Sequence, residues 1–216
     1  MARNKYPEVT VERILDAAQR LFLEKGYDNT TIQDIVGELH GLTKGAIYHH
    51  FKSKEDIMDA LGDRLFYEHN PFDAVQRRTD LNGLEKIRTV IQLAHAIPSA
   101  QELSRQSLPL LKNPRILARV IEADNTIIAP RWRQLLEEGI ADGSIQTAYP
   151  AQIAELFPLL TSLWLLPSVF PATRPELLQK LEFLQDLFNR LGLPFLDAQT
   201  MSVVQNAIDH LGLPET

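Results

Sequence analysis

The sequence predicts an all-α fold, in which a small N-terminal domain of short helices precedes a larger helical bundle. Apolar residues recur at steps of three and four residues, and nothing in the sequence alternates as a strand would. Glycine and proline divide this pattern into segments of helical length. After Asn70-Pro71 the composition shifts toward Leu, Gln and scattered Pro, which indicates a second domain.

Composition is that of an ordinary globular protein. The 216 residues are 44% hydrophobic and 23% charged, and they include no cysteine, so no disulfide framework is possible. No apolar stretch follows the basic residues near the N-terminus, so we expect no secretory signal and a cytoplasmic protein. The uncharged run Leu156–Ala172 contains three prolines and is short for a membrane span, which favours a buried helix.

Charge is unevenly distributed along the chain. The formal net charge of −6 argues against a protein that coats nucleic acid by bulk electrostatics. Between Glu38 and Glu55, however, there is no acidic residue. The same interval contains six residues that are basic or can become so: His40, Lys44, His49, His50, Lys52 and Lys54. Any binding to DNA must therefore use a local basic face.

The first two predicted helices are short and amphipathic. The first is predicted to begin after an N-cap at Thr10 and to end at Gly26. Its apolar stripe is Val11, Ile14, Leu15, Ala18, Leu21 and Phe22. For the second, Thr30 and Gln33 have the spacing of a capping box.

A tight turn separates the second helix from a third and a fourth. The turn is His40-Gly41-Leu42, in which Gly41 can adopt a positive φ. Thr43 is predicted to cap a third helix that runs to Tyr48 or His49, and Ser53 to cap a fourth, with Asp56 at its third position. Two short helices joined by a glycine turn predict a helix-turn-helix.

The third helix has the residues that entry into a DNA groove requires. Gly45 and Ala46 are small enough for close approach, and Lys44 can donate to a phosphate or a guanine edge. Ile47 is the neighbour expected to pack inward, which leaves the Tyr48 hydroxyl for a phosphate. Lys54, at the positive N-terminal end of the fourth helix, is expected to face the DNA backbone.

The N-terminal region resembles a known family. The run Thr30-Thr31-Ile32-Gln33-Asp34-Ile35 and the run from Thr43 to Asp56, together with Ile14-Leu15-Asp16-Ala17-Ala18, Leu21-Phe22 and Gly26-Tyr27, strongly resemble the N-terminal domain of TetR-family regulators. The resemblance covers about residues 10–60. The turn Leu39–Leu42 is one residue longer than the commonest pattern of that family.

The resemblance implies roles for particular residues. Six of them would touch DNA, mostly its phosphates: Thr31, Thr43, Lys44, Tyr48, His50 and Lys54. Gly45 and Ala46 would line the groove. The resemblance also implies that residues 1–52 form a helix-turn-helix DNA-binding domain of three helices. Residues 53–216 would then form a helical domain for effector binding and dimerisation.

The larger domain is predicted to contain six helices, at about 82–97, 100–111, 114–139, 150–170, 175–191 and 197–211. Pro130 should kink or break the third of these. Gly139, Gly143, Gly192 and Gly212 stand near predicted segment ends.

A twofold dimer is predicted from the helix at 150–170, because a helix that is apolar on nearly every side must be covered all round. It and the next helix would form the interface. Its predicted residues are Leu156, Leu160, Leu163, Trp164, Leu181, Leu184 and Phe188.

A pocket for a small, mainly apolar and uncharged or weakly polar effector is predicted between the helices at 82–97, 100–111, 114–139 and 150–170, because Pro98, Pro109 and Pro130 interrupt this region. The directional groups of that pocket would be His95, Gln106, Asn125 and Trp132. A solid core without a pocket is the alternative.

The function implied is that of a sequence-specific, homodimeric transcriptional repressor, which a small effector releases from a palindromic operator. The alternatives are a ligand-independent dimeric regulator, an activator, and a helical-bundle enzyme. No motif of a phosphate loop, nucleophile elbow or zinc protease is present, so we expect no enzyme. The side chains of His49 and His50 point in different directions on a helix, and no third metal ligand lies at a suitable spacing. We therefore expect neither a metal nor a cofactor.

Overall fold

The computed structural model describes residues 7–39, 41–67, 70–96 and 110–215, and these form helices and connecting turns without a strand. The α-helices are α1 (Pro7–Lys25), α2 (Ile32–Glu38), α3 (Lys44–His50), α4 (Lys54–Tyr67), α5 (Pro71–Gln76), α6 (Gly83–Ala96), α7 (Pro114–Ala123), α8 (Ala129–Asp142), α9 (Pro150–Pro158), α10 (Arg174–Arg190) and α11 (Ala198–Asp209). A 3₁₀ turn spans Leu110–Lys112. In the described ranges, no helix combines the length and apolar character needed to cross a membrane.

Two compact units divide the described residues. Unit 1 comprises 7–39, 41–67 and 110–117, and unit 2 comprises 70–96 and 118–215. The boundary between them falls inside α7, after Leu117. The second domain was predicted to begin at residue 53. In the structure, Ile57 and Leu61 of α4 lie in the core of unit 1, where they are 0% and 2% exposed.

Unit 1 has two helix starts that differ from the sequence prediction. The first helix begins at Pro7, a residue whose fixed φ and missing N–H suit a first turn, so Thr10 is not its cap but a buried residue of its interior. The cap of α2 is Thr31, and its capping-box partner is Asp34. Thr30 is buried, and its hydroxyl donates to the carbonyl of Gly26 at 2.8 Å. The predicted capping box was therefore one residue early.

The remaining local predictions in unit 1 are confirmed. The Thr43 hydroxyl accepts from the backbone N–H of Ala46 at 3.3 Å and caps α3. The Ser53 hydroxyl likewise accepts from the N–H of Asp56 at 3.1 Å. Gly41 has a φ of +87°, so the turn before α3 requires glycine.

Unit 2 has a single core built on an aromatic cluster. The Trp132 ring packs edge-on against Phe72 and Phe157, with ring centroids 4.8 and 4.7 Å apart. Phe157 in turn contacts Phe188 and Phe195. Phe72 belongs to α5, a helix that the sequence analysis did not predict. Its signal was present, because Asn70 caps it through the N–H of Phe72 and Pro71 occupies its first position.

Two π-helical segments interrupt the helices of unit 2. The first π segment (Asp124–Ile128) joins α7 to α8, and the second π segment (Leu159–Trp164) follows α9. Pro130 lies just beyond the first, and it lacks the N–H that would bond back along the helix, which confirms the predicted break. The helix predicted over 150–170 ends at Trp164, because Pro167 disfavours helical geometry at the residue before it.

Gly139 was expected near a helix end, but it lies within α8. There α8 crosses α6 closely, and the missing Cβ of Gly83 permits the crossing, because a Cβ on Gly83 would lie 2.4 Å from the Gly139 Cα atom. The nearby atoms belong to the backbone of α8, which cannot move aside for a Cβ as the end of a flexible side chain could. The helix predicted over 100–111 falls mostly on residues 97–109, which lie outside the described residues, as do Pro98, Pro109 and Gln106.

This crossing predicts a large stability difference between two glycine-to-alanine changes. Gly83→Ala should lower the free energy of unfolding by about 1–3 kcal/mol, because the α6 and α8 backbones must separate. Gly62→Ala is the control. Gly62 is an exposed residue within α4 with nothing near its missing Cβ, so alanine there should stabilise by about 0.5–1 kcal/mol. Urea denaturation measures both values, and equal effects of the two changes would contradict the crossing.

Candidate functional site

The exposed side of α3 carries the residues predicted to contact DNA. Ile47 is 0% exposed and anchors the helix in the core of unit 1, so Lys44, Gly45 and Tyr48 face outward. The Lys44 ammonium lies 5.8 Å from the centre of the Tyr48 ring, as expected for residues four apart on one face. The side chains of Lys44 and Tyr48 thus lie together on one exposed face.

The capping threonines lie at the N-terminal ends of the two helix-turn-helix elements. Thr31 and Thr43 are both exposed, at the starts of α2 and α3. The free N–H groups at helix starts attract anions, so the start of α3, which has no acidic residue in its first turn, suits a phosphate. The Thr31 hydroxyl is also engaged with Asp34, and hydrogen bonds from that threonine hold the pKa of the Asp34 carboxyl at about 2.

His50 and Ala46 are half-buried at the edge of the α3 face. The rings of His49 and His50 meet edge-on, with centroids 5.3 Å apart. Among the described residues there is no group of three or more His, Cys, Asp or Glu side chains placed to hold a metal ion.

Lys54 has partners that the sequence did not indicate. Its ammonium donates to the carbonyls of Tyr27 and Thr30, at 2.6 and 2.9 Å, and lies 4.2 Å from the centre of the Tyr27 ring. It also lies 3.5 Å from the Asp28 carbonyl, so three backbone carbonyls accept from a group that has three N–H donors. In this conformation Lys54 fastens the start of α4 to the loop before α2, which favours a positioning role.

Tyr27 also joins α7 to the helix-turn-helix. Burial, together with the charge of Glu55 and a hydrogen bond to it, raises the pKa of its hydroxyl to about 12. The Arg115 guanidinium, in the first turn of α7, lies 3.4 Å from the Glu55 carboxylate. Ile116 packs against the core of unit 1. This connection was not predicted from the sequence, because no local pattern relates residues so far apart.

The seven predicted interface residues separate into two groups. Leu181, Leu184 and Phe188 are at most 2% exposed and belong to the chain's own core, so they cannot meet a partner, and the prediction for them was wrong. The reason is that α10 is amphipathic and turns this stripe inward. The others are partly or well exposed: Leu156, Leu160, Leu163 and Trp164.

An outer apolar face is formed by Trp164, Phe170 and Phe183 and is named the apolar face. Leu156 and Leu159 are further exposed apolar residues. Phe183 is 55% exposed and its ring meets the Trp164 ring edge-on. The Lys180 ammonium lies over the rings of Trp164 and Phe170, at 5.4 and 5.7 Å.

The predicted effector residues that the structure describes, His95, Asn125 and Trp132, are not gathered at one site. Trp132 is packed within the aromatic core, and Asn125 is exposed, so it does not line an interior pocket. His95 is half-buried, its Nδ1 pairs with the Ile91 carbonyl, and burial lowers the pKa of its ring. Gln106 lies outside the described residues. The buried polar residue in this region is Asp124, one position before Asn125.

A glycine turn between two short helices, the second with an exposed lysine and tyrosine, in front of a helical bundle, defines a helix-turn-helix DNA-binding regulator. The family model described as bacterial regulatory proteins, tetR family, matches residues 14–61. The transcriptional repressor KstR2 of Rhodococcus jostii (strain RHA1) is 30% identical over 151 residues, which are 67% of this chain and 72% of that protein. The chain belongs to the TetR family and is a DNA-binding transcriptional regulator.

Solved structures agree with this fold. A TetR-family transcriptional regulator from Pectobacterium atrosepticum has a TM-score of 0.56 at 20% identity, over 89% of this chain and 98% of that chain. The ketosteroid transcriptional regulator KstR2 of Mycobacterium tuberculosis has a TM-score of 0.50 at 20% identity, over 98% and 95%. These structures confirm the all-α architecture with an N-terminal helix-turn-helix.

Proposed function

We propose that this regulator is a cytoplasmic repressor that binds a near-palindromic operator as a twofold dimer and is released by a small, mainly apolar effector. The observation that carries operator binding is the exposed face of α3, where Lys44 and Tyr48 stand together beside the small Gly45. Residues 1–52 would read DNA, and residues 53–216 would dimerise and bind the effector. In a twofold dimer the two recognition helices would lie about 34 Å apart, or a multiple of one DNA turn.

The link from effector to DNA is proposed to run through α7. Its first turn is held in unit 1 by Arg115 and Ile116, while its later residues belong to unit 2. An effector that binds one arrangement of this helix better than another shifts the population of operator-competent dimers. This mechanism needs only a difference in affinity between two states.

Operator binding should depend on Lys44. The change Lys44→Ala is expected to weaken binding by about tenfold and to lower the salt-dependence slope by about 0.9, the effect of one lost phosphate contact. Fluorescence titration against a selected operator at several salt concentrations measures both quantities. The operator itself is obtained by selection from random-sequence duplexes, and we expect it to be near-palindromic.

Arg133→Ala is the matched control, because it removes an exposed positive charge from α8 of unit 2. Its affinity and salt slope should equal those of the unchanged protein. If Lys44→Ala behaves like this control, Lys44 does not contact DNA. A reporter gene placed behind the selected operator then separates the two modes of regulation. Lower expression with the regulator than without it supports repression, and higher expression identifies an activator.

A further inference from the structure

Asp124 is a buried carboxylate that has no cationic partner among the residues the structure describes. It opens the first π segment and is 7% exposed. Its Oδ2 atom has no hydrogen-bond partner among the described residues, and the Ser162 hydroxyl is the only side chain seen to stabilise its ionised form. A carboxylate has about four acceptor positions, so most of its hydrogen-bonding capacity is unused.

Such a group is unfavourable in the free protein. Taking a carboxylate out of water is costly unless a cation or several donors replace the lost hydration. Burial raises the pKa of Asp124 to about 6, and the group is still mostly ionised at neutral pH. Unit 2 therefore contains a negative charge that its own described side chains leave without a counter-ion.

Apolar residues follow Asp124 along the helix. Ile128 and Trp132 follow it at four-residue steps, and both pack in the core of unit 2. Ser162 belongs to the second π segment, so the carboxylate lies where the two irregular helical segments approach each other. Wide helical turns of this kind occur frequently at functional sites.

We propose that Asp124 binds a protonated amine of the effector, whose remaining body is apolar. The inference rests on the proposed function, which places an effector in unit 2, and it adds the chemical class of that effector. An ammonium group supplies N–H donors to the unpartnered oxygen and neutralises the buried charge in one step. A neutral alcohol supplies one donor but leaves the charge of Asp124 without a counter-ion. A carboxylic acid is ionised at neutral pH, so its negative charge is repelled by Asp124.

The probes are three ligands with the same eight-carbon chain: octylammonium, octanol and octanoate. Calorimetric titration of the full dimeric protein should show octylammonium binding at least about tenfold more tightly than octanol, with octanoate weakest. In Asp124→Asn the preference for octylammonium over octanol should largely disappear. Octylammonium should also release a labelled operator from the unchanged protein and not from Asp124→Asn.

Glu122→Gln is the control, because it removes a carboxylate two residues away that is exposed and paired with Arg119. It should bind all three probes as the unchanged protein does. Failure of octylammonium to bind, an equal affinity for octanol, or an unaltered preference in Asp124→Asn would each overturn the proposal. Operator affinity without ligand is measured first. If the unchanged protein does not bind the operator, the proposed function is contradicted. If it binds the operator but the ligand tests fail, only the Asp124 inference is contradicted.

Discussion

Phe183→Glu is expected to convert the proposed dimer into a monomer. Phe183 is 55% exposed and forms part of the apolar face with Trp164 and Phe170. Monomeric proteins rarely expose clustered large apolar side chains, and a second copy of this chain is the partner we propose for this one. Because Phe183 is exposed in the single chain, the change should not disturb folding.

The effect is large because a twofold interface contains the changed residue twice. Placing a carboxylate in an apolar interface should cost at least about 2 kcal/mol per copy, so the dimer dissociation constant should rise about a thousandfold. Sedimentation equilibrium measures that constant, and circular dichroism checks the fold. Operator affinity should fall as well, since the helix-turn-helix of one subunit is no longer linked to that of the other.

Ile140→Glu is the control for this experiment. Ile140 is a hydrophobic residue of α8 that is 38% exposed and does not belong to the apolar face. Its carboxylate variant should remain dimeric and bind the operator. A Phe183→Glu protein with an unaltered dissociation constant would show that the dimer uses another surface, and the proposed assignment of the apolar face would be withdrawn.

Asp124→Asn should stabilise the protein, and the gain should depend on pH. Folding raises the pKa of this carboxyl from its ordinary value of 3.8 to about 6, mainly because burial disfavours the charge. A tenfold change in an ionisation constant corresponds to about 1.4 kcal/mol, so the ionised carboxylate destabilises the fold by roughly 3 kcal/mol. An uncharged asparagine of the same shape removes up to that amount.

The direction of the pH dependence follows from protonation of both states. Below about pH 4 the carboxyl is protonated whether the chain is folded or unfolded, so the substitution gives no gain. Between pH 4 and 6 only the unfolded chain ionises readily, so the unchanged protein loses stability as pH rises. Above about pH 6 the full difference is present.

Urea denaturation at fixed protein concentration, from pH 4.5 to 8, measures this difference. Glu122→Gln is again the control and should show no comparable gain at any pH. A gain for Asp124→Asn that is the same at pH 4.5 and 8 would contradict the assigned ionisation, and so would a loss of stability at pH 8.

Local chemistry accounts for what the sequence could predict. The caps at Thr43 and Ser53 and the turn at Gly41 depend on hydrogen bonds and backbone angles within a few residues, so the helix-turn-helix was readable from the pattern. The exposed positions of Lys44 and Tyr48 follow from helical spacing around Ile47. The inward stripe of α10 also has helical spacing, but spacing alone does not distinguish a chain's own core from a partner's surface.

The remaining features depend on contacts between distant parts of the chain. Lys54 was assigned to DNA from its place at a helix start, yet carbonyls more than twenty residues away engage its ammonium. Asn125 and Asp124 are neighbours in sequence, and the π segment determines which of them turns inward. A sequence pattern with a regular period of 3.6 residues cannot resolve such a one-residue change of face.

Unit 1 is assembled from two separate stretches of the chain, because Ile116 packs against the core formed by α1 to α4. During synthesis the helix-turn-helix leaves the ribosome well before this residue does, so its core is completed only after the beginning of α7 has emerged. A fragment truncated after α4 lacks Ile116 and the Arg115–Glu55 contact. The isolated fragment is therefore less stable than the same residues within the intact chain.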